Sequence, residues 1–112
     1  MSRTLVELSE DVEAVSERYA RVCHITRDRD WYLLKLQEEL GELTAEALRL
    51  SGRGRRDGID EVETREALAD EAADVLGGLL LFARHHGVDL EAALDRKWFR
   101  YLPERRQAKG AE

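Results

Sequence analysis

Two short stretches decide the fold: Leu36-Gln37-Glu38-Glu39-Leu40-Gly41-Glu42-Leu43 and Leu68-Ala69-Asp70-Glu71-Ala72-Ala73-Asp74-Val75. They superpose at an offset of 32 residues, and the match continues from Ala47 and Leu50 to Leu79 and Phe82. Apolar residues recur at three- and four-residue spacing in both, which is the period of an amphipathic helix. On a helical wheel with Leu36 at zero, Glu39 falls about 60° to one side of the apolar stripe and Glu42 about 120° to the same side. Glu71 and Asp74 fall at the same angles about Leu68. Each helix is therefore expected to border its apolar face with two acids on one flank.

Antiparallel packing of these two helices brings four acids together at the edge of the core. Clustered carboxylates repel one another and lose hydration, so cations are needed to neutralise them. Hard divalent ions suit all-oxygen ligands, and Mg²⁺ takes phosphate oxygens as further ligands. The competing reading makes the same acids solvated residues on charged helix faces. A single acidic pair favours that reading; two matching pairs favour a metal site.

Working outward, end signals bracket four helices. Thr4 and Glu7 form a capping box for the first, which is expected to run to about His24 with a stripe of Leu8, Val12, Val15, Tyr19 and Val22. The second is expected after Asp30 as N-cap and ends near Gly52. A Gly- and Arg-rich loop, Gly52 to Gly58, follows. The third starts at Asp60, with Glu63 completing a capping box, and ends at Gly87. The fourth starts at Asp89 and stops near Pro103, the only proline. The expected fold is all-α: a single four-helix-bundle-like domain over residues 1–103 with a polar tail at 104–112.

Composition limits the functions available. The chain has 112 residues, enough for one core. Charged residues make up 38% and the net charge is −6, so a nucleic-acid polymer is not the expected partner. The lone Cys23 fits a reducing cytoplasm better than a disulfide scaffold. The longest apolar run, Val75 to Ala83, is too short to cross a bilayer, and Arg3, Glu7 and Glu10 interrupt any leader-like stretch. A cytoplasmic protein without a membrane partner is expected.

Glu38-Glu39-Leu40-Gly41-Glu42 resembles the EExxE motif of the MazG-like all-α nucleoside triphosphate pyrophosphohydrolases, and Glu71-Ala72-Ala73-Asp74 resembles their ExxD motif. The 28 residues between Glu42 and Glu71 stand at the long end of the family's range. Gly87 to Leu94 followed by Lys97 is similar to the family's final helix, so the resemblance runs from about Trp31 to Pro103. It implies Mg²⁺, with Mn²⁺ as substitute, held by Glu39, Glu42, Glu71 and Asp74. It implies hydrolysis of a nucleoside triphosphate to monophosphate and pyrophosphate by a homodimer or homotetramer that assembles through its helices. Related members include dUTP and dCTP pyrophosphatases and phosphoribosyl-ATP pyrophosphohydrolase. The alternatives to NTP hydrolysis are phosphoribosyl-ATP hydrolysis, a non-catalytic nucleotide-binding module and a helical interaction module.

Other residues carry two readings each. Glu38, about 160° from the stripe, either activates the attacking water or faces solvent. Lys97 either contacts phosphate as a point charge or is a solvated helix lysine. Tyr101 stands where related small pyrophosphatases often carry asparagine, which takes away a base-recognition role based on that residue; with Trp98 it can stack on a base or serve a core or interface. Trp31 and Tyr32 either line a nucleotide pocket or cap a small core. Glu46 is an outer-shell ligand or a surface acid. Arg53, Arg55 and Arg56 clamp a triphosphate or form a solvated loop. His85 and His86 lie three helical turns from Asp74, and the absence of a Glu-x-x-His pattern argues against a di-iron carboxylate site.

Overall fold

The computed structural model describes residues 2–52 and 60–104. These residues contain four α-helices and no strand: α1 Leu5–Val22, α2 Arg29–Leu50, α3 Glu61–His85 and α4 Leu90–Lys97. A single 3₁₀ turn, Phe99–Tyr101, follows α4. The all-helical class follows from the three- and four-residue apolar spacing. The loop positions Arg53 to Gly58, with their three arginines, and the tail from Arg105 onward lie outside the described residues. The chain forms two compact units, Met1–Phe82 and Ala83–Glu112. No described helix is long and apolar enough to cross a membrane.

The helix ends follow local chemistry. Thr4 and Glu7 close a full capping box: the Glu7 amide donates to the Thr4 hydroxyl and the Thr4 amide to Glu7 Oε1, both at 3.1 Å. Helix α1 stops at Val22, two residues before the expected His24, because His24 adopts a left-handed conformation (φ 56°). The Ile25 amide then donates back to the Ala20 carbonyl at 2.8 Å, which satisfies an orphan acceptor. Gly87 (φ 65°) ends α3 in the same manner, with the Val88 amide donating to Ala83 at 2.8 Å.

Helix α2 begins two residues earlier than expected. Asp28, not Asp30, is its N-cap: Asp28 Oδ1 accepts from the Trp31 amide at 2.9 Å, and Asp30 lies within the first turn. At α3, Asp60 Oδ1 accepts from the Val62 amide at 2.6 Å, one position short of the Glu63 amide that the expected box requires. Asp89 caps α4 as expected, accepting from the Ala92 amide at 3.0 Å. Helix α4 stops at Lys97 and passes into the 3₁₀ turn before Pro103.

In the first unit the helices touch through small residues. A Cβ placed on Gly78 of α3 meets Leu36 Cδ1 of α2 at 3.3 Å, and one on Gly77 meets Val12 Cγ1 of α1 at 3.7 Å. The α1–α2 loop is fastened by Arg27, which pairs with Glu13 of α1, donates to the Ser16 hydroxyl at 3.1 Å and lies over the Tyr32 ring. Tyr32 is buried, and burial raises its phenol above the ordinary value against the opposing pull of Arg27.

The covered faces are rotated from the expected stripes. On α1, Leu8 and Val12 are half-buried, but Val15, Tyr19 and Val22 are exposed. On α2 the covered line is Tyr32, Leu36, Glu39, Leu43, Glu46 and Leu50, whereas Leu33 and Leu40 are 51% and 52% exposed. On α3 it is Thr64, Leu68, Glu71, Val75, Gly78 and Phe82, with Leu76 exposed. The first acid of each pair therefore stands in the covered line and not on its flank.

Candidate metal centre

Helices α2 and α3 each contribute to one carboxylate cluster. Glu39 and Glu42 project from successive turns of α2, and Glu71 projects from α3. One carboxylate oxygen from each of the three lies within 4.8 Å of the others. Asp74, the fourth expected ligand, is outside this trio. Its charge is nonetheless felt there: burial first, then Asp74, then Glu42 hold the Glu39 carboxyl above the ordinary carboxylate value, while Lys35 pulls it down.

The cluster has an inner and an outer side. The Glu39 side chain is only 12% exposed, Glu71 is half-buried and Glu42 is exposed. Glu39 Oε1 pairs with Lys35 Nζ at 3.4 Å. Glu39 Oε2 and Glu71 Oε2 are both buried and have no hydrogen-bond partner. A buried carboxylate oxygen without a donor is costly, because it has lost water and gained nothing. Two such oxygens beside a third carboxylate form an all-oxygen donor set facing an unmet demand for positive charge. That donor set fits a hard divalent cation, which completes its shell with waters or phosphate oxygens.

The remaining expected site residues divide between the two units. Glu38 is exposed on α2 and pairs with Lys35 Nζ at 3.5 Å, so the expected catalytic acid shares a lysine with an expected ligand. Trp31 is half-buried at the start of α2, its ring set edge-on against Tyr32 with centroids 5.1 Å apart. Glu46 is half-buried and pairs with Arg49 of the same helix at 3.5 Å. Lys97 and Tyr101 belong to the second unit. Lys97 is exposed at the end of α4, and Tyr101 is exposed with the Arg100 guanidinium 4.7 Å from its ring centroid.

Lys35 did not figure among the expected site residues. Its signal was present in the sequence: it precedes Glu39 by four residues and Glu38 by three, the spacings at which helical side chains meet. Burial lowers the basicity of its ammonium, but Glu38 and Glu39 more than offset that, and it stands above its ordinary value.

Compared with protein-family models, curated proteins and solved structures, the chain finds no match in any of the three.

Proposed function

We propose that this protein is a Mg²⁺-dependent nucleoside triphosphate pyrophosphohydrolase of the MazG-like kind. The observation that carries the reading is the pair of buried, unpartnered oxygens, Glu39 Oε2 and Glu71 Oε2, beside Glu42. It supports Glu39, Glu42 and Glu71 as residues that hold the metal, and the ExxD spacing adds Asp74. A divalent cation there supplies charge to stabilise phosphate oxygens and makes a nearby water more acidic.

The chain's own groups supply the rest. Glu39 and Glu71 hold the inner side, where water is excluded, and Glu42 reaches the exposed side where a triphosphate arrives. The Glu38 carboxylate takes a proton from the attacking water. That water adds at the α-phosphorus, the bond from the α-phosphorus to the bridging oxygen breaks, and pyrophosphate leaves with the electron pair. Trp31, half-buried at the start of α2, offers a flat face to a base.

The functional form in this reading is a homodimer or homotetramer. Its support is the set of apolar side chains that the helices leave exposed, among them Val15, Tyr19, Leu33, Leu40 and Leu76. The acidic net charge supports a small nucleotide rather than a nucleic-acid polymer as substrate.

The test is pyrophosphate release from a panel of NTPs and dNTPs with Mg²⁺ and with EDTA, using wild type and Glu42→Gln. Turnover that requires Mg²⁺ and falls at least ~100-fold in the variant is the expected result, since the loss of a ligand weakens the hold on the cation that stabilises transition-state charge. Release that persists in EDTA removes the metal from the reading, and no release from any nucleotide removes the NTP reading. Turnover of phosphoribosyl-ATP alone would transfer the site to that substrate.

A further inference from the structure

Among the described residues, Lys35 is the one cation ion-paired with any of the four ligand-type acids. Its Nζ lies 3.4 Å from Glu39 Oε1 and 3.5 Å from Glu38 Oε1. Glu39 is the more enclosed of its two partners, and its other oxygen, Oε2, is buried without a hydrogen-bond partner. Lys35 itself is 40% exposed. Its head is carried on a flexible four-carbon stem, so it can leave Glu39 without leaving solvent.

We propose that Lys35 is the resident counter-ion of the acidic cluster and is displaced from Glu39 when a divalent cation enters. The inference rests on the metal-site reading above and adds a regulatory element to it. A divalent cation held at Glu39 Oε2 and an ammonium held at Oε1 of the same carboxylate lie only a few ångströms apart, and two cations that close repel. Lys35 then retains Glu38 alone. Lys35 thus partly neutralises the cluster, and metal binding carries the cost of breaking one ion pair. Lys35 sets the metal affinity of the site without being a ligand.

The experiment needs no turnover. The full chain, stripped with EDTA and dialysed, is titrated with Mn²⁺ by calorimetry in the absence of nucleotide, as wild type, Lys35→Met, Lys35→Gln and Lys35→Arg. Loss of the competing charge is expected to tighten Mn²⁺ binding about three- to tenfold in Lys35→Met and Lys35→Gln, the scale of one partly exposed ion pair or somewhat more. Lys35→Arg is expected to stay within about twofold of wild type, because its charge remains. In EDTA, Lys35→Met is expected to melt below wild type, and adding Glu39→Gln to it is expected to restore the loss, because the uncompensated charge goes with it. Unchanged or weaker Mn²⁺ binding in the neutral variants overturns the exchange and leaves the metal site standing. A wild type that binds neither Mn²⁺ nor Mg²⁺ overturns both. Lys35→Gln keeps the comparison interpretable should Lys35→Met fail to fold.

Discussion

At the scale of single residues, Glu39 carries the tension of the site. Burial, then Asp74, then Glu42 raise its carboxyl above the ordinary value, and Lys35 offsets only part of this. An acid whose folded value exceeds its unfolded value lowers stability when it is ionised in both states, and the penalty disappears as pH falls through the folded value. In EDTA at pH 7, Glu39→Gln is therefore expected to be more stable than wild type by about 1 kcal/mol, or roughly 4 °C in Tm. The gap is expected to close between neutral pH and the ordinary carboxylate range near 4.5, where wild type takes up its proton. With Mg²⁺ present the order is expected to invert, because only wild type gains from binding. Melting curves across pH, with EDTA and with Mg²⁺, check all three statements. A variant less stable than wild type in EDTA at pH 7 would show that Glu39 is satisfied by its surroundings.

At the scale of elements, the sequence was legible where a side chain acts on its own backbone. The box of Thr4 with Glu7 and the cap of Asp89 are local, and both form as read. The α2 start was misread because Asp28 and Asp30 are equally good capping residues, and the backbone of the α1–α2 loop decides between them. Arg27, held by Glu13 and Ser16, fastens that loop directly before Asp28. Asp28→Ala is expected to cost about 1 kcal/mol, the usual value of a lost N-cap, and Asp30→Ala only a few tenths. Urea denaturation of the two variants separates the assignments, and equal losses would refute the Asp28 cap. The glycine pair of α3 gives a second contrast. Ala at Gly77 meets Val12 at an ordinary 3.7 Å, so the helix preference for alanine is expected to add about 0.5–1 kcal/mol. Ala at Gly78 meets Leu36 at 3.3 Å and is expected to gain less or to lose, because Leu36 must shift to admit it. A Gly78→Ala variant as stable as Gly77→Ala would mean that α2 and α3 are free to separate there.

At the scale of the whole molecule, the wheel failed in an instructive way. It centred α2 on Leu36 and α3 on Leu68, and those residues are half-buried as expected. The apolar stripe on each helix, however, is wider than the surface its own chain covers. The acid side of the stripe is turned inward with Glu39 and Glu71, and the opposite side is left exposed with Leu33, Leu40 and Leu76. Composition cannot distinguish residues that face their own chain from residues that face another, since both are apolar and both recur at helical spacing. Among the described residues, the buried apolar set is only Ala20, Tyr32, Leu80, Leu81 and Ala83, and no large side chain is fully buried. A chain with so little of its own core and such ordered apolar faces is expected to bury them in a symmetric assembly. Sedimentation velocity is expected to show a dimer or tetramer at micromolar concentration, with a Tm that rises with protein concentration. Leu33→Glu and Leu40→Glu introduce a charge on that face and are expected to yield monomers of lower Tm. Neither residue is among the expected ligands, so the fate of activity is informative. Turnover lost with assembly and regained at high protein concentration would mean that the second copy completes the site. Turnover retained by a monomer would confine the chemistry to a single chain, and a wild type that sediments as a monomer at every concentration would leave these faces without a partner.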